Sequence, residues 1–87
     1  MAGFEVEHWW DEPHFKRSNT RAERARFVLL KLMQLDPRRL EALLWEVCGL
    51  RDYAEAAQSI TDDQWREILT GMGATPLDAA DVLIRIG

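Results

Sequence analysis

The stretch Ser18–Gly49, SNTRAERARFVLLKLMQLDPRRLEALLWEVCG, decides the fold. From Arg21 to Leu35 it has neither Gly nor Pro and is rich in good helix formers, and Ser18, Asn19 and Thr20 before it all carry side chains able to accept a helix-start N–H. The pattern predicts a first helix. On it Ala22, Ala25, Val28, Leu29, Leu32 and Met33 share one broad face. Phe27 and Leu30 project from another side, while Arg17, Arg21, Arg24 and Lys31 line a polar edge. Asp36-Pro37 then restarts the chain, with Asp as N-cap and Pro at the first helical position, where a missing N–H costs nothing. In this second helix Leu40, Leu43, Leu44 and Val47 recur at i, i+3, i+4, i+7, Trp45 falls off that stripe, and Gly49 supplies the stop.

Working outward towards the C-terminus, Asp52–Gln58 reads as a short Ala-rich helix with Tyr53, Ala56, Ala57 and Ile60 at helical spacing. Thr61 with Gln64 three residues on forms a capping box, followed by a stripe of Trp65, Ile68, Leu69 and Met72. Gly71 and Gly73 end that helix and Thr75-Pro76 opens the next. There Leu77, Ala79, Ala80, Val82, Leu83, Ile84 and Ile86 leave only Asp78, Asp81 and Arg85 polar, so the last helix is expected to be the central, most buried one. Towards the N-terminus, Phe4, Glu5, Val6, Glu7 and His8 alternate before Trp9 and Trp10, which predicts an extended arm or a very short strand within residues 1–15. The expectation is one all-α domain spanning 1–87: a small compact bundle of four to five short helices over residues 20–87, with an extended acidic and aromatic arm.

Composition limits the function classes. At 87 residues there is room for one modest core. The single cysteine, Cys48, excludes an internal disulfide and a thiolate cluster, which fits a reducing cytoplasm. No apolar run approaches the roughly 18 residues a membrane span requires, and the acidic start lacks the basic character of a signal peptide. The net charge of -4 is unevenly spread. Eight of the eleven basic residues fall between Lys16 and Arg39, a segment of +6 set between termini of -4 and -6.

Catalytic and metal chemistry find little to stand on. His8, Asp11, Glu12 and His14 are the one cluster with ligand chemistry, and their spacing matches no metal scheme. Cys48 sits near a helix C-terminus, where the dipole disfavours a thiolate. There is no phosphate loop, nucleophile elbow or His-Glu-x-x-His. No enzyme, cofactor or metal is therefore expected. The last two helices invite comparison with a DNA-reading helix-turn-helix, but Asp78 and Asp81 would repel phosphates. The Met72-Gly73 turn between two apolar helices resembles that of a ubiquitin-associated domain. It departs from that pattern at Ala74, where an aromatic residue is expected, and no third helix follows in the sequence, so no function is carried over.

What remains is a surface for binding. Trp9, Trp10, Phe15, Phe27 and Trp45 lie off the core stripes, and large aromatics are enriched at interface centres. For Trp9 and Trp10 the first expectation is that the arm folds back so that one of them covers Phe27 and Leu30, with at least one Trp facing a partner as the alternative. With Arg17, Arg21, Arg24 and Lys31, these aromatics outline a non-catalytic protein-interaction module, an adaptor, small inhibitor or small subunit meeting an acidic or apolar patch. A small acidic domain without motifs also has the general profile of inhibitors that mobile elements direct at host defence complexes, although no residue carries that comparison. Self-association through the same aromatics is a further possibility. The alternative is nucleic-acid or nucleoprotein binding along the basic edge, extended by Arg38 and Arg39.

Overall fold

The computed structural model describes residues 4–87. Among them there is no strand, and six α-helices follow one another: α1 (Pro13–Lys16), α2 (Arg21–Leu35), α3 (Pro37–Leu43), α4 (Tyr53–Ser59), α5 (Asp62–Gly71) and α6 (Pro76–Ile86). Helix α3 runs on into a π-helical turn over Leu44–Cys48, and a 3-10 turn at Trp9–Asp11 precedes α1. The expected all-α bundle is thus present, with its five helices and one further turn of helix. No helix among the described residues is long and apolar enough to cross a membrane.

The helix boundaries follow from side chains that satisfy otherwise orphaned backbone donors. Of the three residues with N-cap chemistry, Thr20 is the one used. Its hydroxyl accepts from the Glu23 N–H while the Glu23 carboxylate accepts from the Thr20 N–H, a capping box that mirrors the one at Thr61 and Gln64. Asp36 and Thr75 cap two of the three helices that open on Pro, α3 and α6, and Asp52 caps α4. At the other end of α5, the Ala74 N–H donates to the Leu69 carbonyl and the Gly73 N–H to Thr70. This is a Schellman closure, and it requires the left-handed φ of 104° that Gly73 adopts. Ala74 is buried beneath it.

Helix α2 is the centre of the molecule. Ala25, Phe27, Val28, Leu29 and Leu32 are all buried, and α4, α3, α6 and α1 pack around it. Full burial of Val28, Leu29 and Leu32 contributes about 1.5 to 3 kcal/mol each before the entropy of ordering is subtracted. Ala56 and Ala57 let α4 lie close along α2. Trp65, Ile68 and Leu69 of α5 complete the core beneath α6 and the π-helical turn. At Gly71 a Cβ would stand only 2.7 Å from a Leu43 methyl, so the missing side chain lets α3 seat against α5.

Two expectations are corrected. From Trp9 onward the arm is not extended: it folds into the 3-10 turn and α1, and Val6, Trp9 and Trp10 are buried. A ladder of ring contacts draws it in, through Phe4–Trp9 (5.8 Å), Trp9–Trp10 (5.9 Å), Trp10–Phe15 (5.0 Å) and Phe15–Phe27 (5.4 Å), three of them edge-on and the last tilted. Residues 1–3 of the expected arm lie outside the described residues. The second correction concerns α6, which is peripheral. It buries Ala79, Val82 and Ile86 and turns Leu77 and Ile84 outward.

Candidate interaction surface

The basic edge read from the sequence is largely engaged within the fold. Arg21 pairs with Asp62, Nη2 to Oδ1 at 2.8 Å, and donates from Nε to the Gly87 backbone oxygen at 3.2 Å. Arg24 Nε donates to the Ile86 carbonyl at 2.8 Å. These two guanidinium groups meet the carbonyl end of α6, where the helix dipole favours positive charge, and so tie α6 to the first turns of α2. Lys31 Nζ lies 2.6 Å from Glu12 Oε2 and 5.9 Å above the Phe27 ring, fixing the segment before α1 against α2. Arg39 donates to the Gly71 carbonyl at 3.2 Å. Among the described residues Lys16, Arg17, Arg26 and Arg38 have no ion-pair partner.

The aromatic residues divide in the same way. Trp9, Trp10 and Phe27 are buried in the core, since covering the indoles removes a large apolar area from water, and Trp10 also lines a groove beside α6. Phe15 is half-buried between Trp10 and Phe27. Trp45 remains on the surface, 53% exposed, with the Arg51 guanidinium 4.5 Å from its ring. The indole N–H groups of Trp10 and Trp65 are buried without a protein acceptor.

The most exposed of the large apolar side chains lie where no binding role was expected. Leu77 is 84% and Ile84 76% exposed, and with exposed Ala80 at i, i+3, i+7 they form a strip opposite the buried face of α6. Beside Ile84 opens a groove of about 660 Å³, lined by Trp10, Phe15, Lys16, Arg24, Asp81 and Arg85, among others. The Arg85 guanidinium lies 5.6 Å over the Trp10 ring and 3.8 Å from Asp81. Apolar strip, aromatic floor and charged rim therefore form one continuous surface. A second groove, near α1 and the start of α2, is lined by His14, Arg17, Ser18, Glu23, Arg26 and Leu30.

Sequence reasoning missed Leu77 and Ile84 because α6 is apolar nearly all round, which it took as a sign of burial on every side. Periodicity does not show which side of such a helix is left without neighbours. The other chemical candidates are dispersed. Among the described residues no three His, Cys, Asp or Glu side chains converge on a metal-sized site. Glu12 serves Lys31, and the His14 ring stands edge-on to Phe27 at 5.2 Å. Burial, and secondarily the charge of Glu67, push the Cys48 thiol up from its ordinary value, away from the thiolate a nucleophile requires.

Comparison of the chain with protein-family models, with curated proteins and with solved structures gave no match.

Proposed function

We propose that the chain is a non-catalytic protein-interaction module that docks a partner protein on the outer face of α6 and the groove beside it. The observation that carries this reading is the exposed strip of Leu77, Ala80 and Ile84 continuing into a groove floored by Trp10 and Phe15. Single exposed apolar residues are ordinary, but a strip joined to an aromatic groove offers a partner both area and a pocket. An adaptor, a small inhibitor or a small subunit would all use such a surface. An inhibitor directed by a mobile element at a host defence complex is one form that shares the general profile. The nucleic-acid reading draws less support, since Arg21, Arg24, Lys31 and Arg39 hold the fold together instead of facing outward as a row.

The test is capture from the source cell with three forms of the intact chain: unaltered, Leu77→Glu with Ile84→Glu, and Arg17→Glu with Arg26→Glu on the second groove. The proposal expects a partner that the α6 variant alone loses while keeping its unfolding midpoint. Equal recovery by the α6 variant would refute it.

A further inference from the structure

We infer that the occupant of the α6 surface is an acidic amphipathic segment of a partner protein, with apolar side chains at helical spacing for Leu77, Ile84 and the Trp10–Phe15 floor and carboxylates for the rim. This rests on the reading just given and adds the chemistry of the partner. The rim carries Lys16, Arg24 and Arg85 against the single acid Asp81. That excess of positive charge stands out on a chain whose net charge is -4. Two of the three cations, Lys16 and Arg85, are exposed and weakly engaged, while Arg24 keeps its charge at the rim although its Nε is used within the fold. Lys16 has no ion-pair partner among the described residues, Arg24 uses Nε on the Ile86 carbonyl, and Arg85 meets Asp81 only loosely at 3.8 Å. The charge of Lys16 and Arg85 is available to carboxylates arriving beside an apolar surface, where partial desolvation strengthens the attraction.

A second copy of the chain fits less well. Two α6 strips facing each other would bury two large side chains and a methyl group per copy, well short of the roughly 800 Å² per partner of a stable interface. Such a pairing would also leave the cationic rim without an acidic counterpart. A basic segment would have its charges set against the rim.

The experiment uses the full chain and two synthetic helical peptides with Leu at i, i+3, i+4 and i+7, one bearing Glu and the other Lys at the flanking positions. Binding is followed by amide and indole NMR shifts, and self-association by sedimentation. The Glu peptide is expected to shift the Leu77, Ile84 and Trp10 signals, with affinity at least about ten-fold above that of the Lys peptide. That affinity should fall about ten-fold or more in Lys16→Glu with Arg85→Glu, and also as salt rises from about 50 to 500 mM. A Lys peptide that binds equally well, shifts confined to another face, no binding of the Glu peptide, or a dimer that buries Ile84 would each overturn the inference. If the Glu peptide fails yet Leu77→Glu with Ile84→Glu still loses a cellular partner, the docking surface stands and only the acidic occupant falls. If that variant loses none, both fall.

Discussion

Arg24 secures the end of α6 without an ion pair: its partly buried Nε donates to the Ile86 carbonyl, where an unpaired guanidinium also balances the helix dipole. Replacement by Met keeps the stem and removes the donor, so Arg24→Met should lower unfolding free energy in urea by about 1 kcal/mol. Arg17→Met, at an exposed site with no ion-pair partner, should stay within about 0.5 kcal/mol. Glu23 makes a pH-dependent contribution of defined sign. Hydrogen bonds from the Asn19 N–H, the Thr20 hydroxyl and the Thr20 N–H hold its carboxyl below the ordinary glutamate range. A folded value below the unfolded one gives stability that is present at neutral pH and lost as pH falls through the carboxylate range. Thermal melts should therefore show a smaller acid-induced drop for Glu23→Gln than for the unaltered chain. Cys48 has its value raised, so a thiol reagent at neutral pH should modify it more slowly in the folded chain than in urea.

At the scale of elements, helix starts were the most legible feature, because a cap is a local arrangement of three or four residues. Asp36-Pro37, Thr61 with Gln64, and Thr75-Pro76 all act as their chemistry requires. The Thr20–Glu23 box has the same spacing and is legible by the same rule. Thr20→Ala and Thr61→Ala should each cost about 1 kcal/mol in chemical unfolding. Helix α1 was hidden although Glu12-Pro13 repeats the acid-Pro pattern of Asp36-Pro37. A single turn cannot hold itself in water, and here the Phe15–Phe27 contact and the Glu12–Lys31 pair hold it. Those contacts join residues far apart in the chain, so alternation over Phe4–His8 gave no hint of them. The candidate surface was hardest to read for the same reason. Lys16, Arg24, Asp81 and Arg85 share a rim only after α6 has docked on α2.

In the whole molecule the two ends exchange roles. Trp9 and Trp10 lie off the core stripes of the sequence and close the core, while Leu77 and Ile84 look like core and face outward. The most direct test is equilibrium unfolding in urea of the unaltered chain beside Trp10→Ala and Ile84→Glu. Trp10→Ala is expected to lose about 3 to 5 kcal/mol, enough to threaten folding of a domain this small. Ile84→Glu should stay within about 0.5 kcal/mol of the parent. The reverse order, with Ile84→Glu strongly destabilised and Trp10→Ala unaffected, would contradict the account.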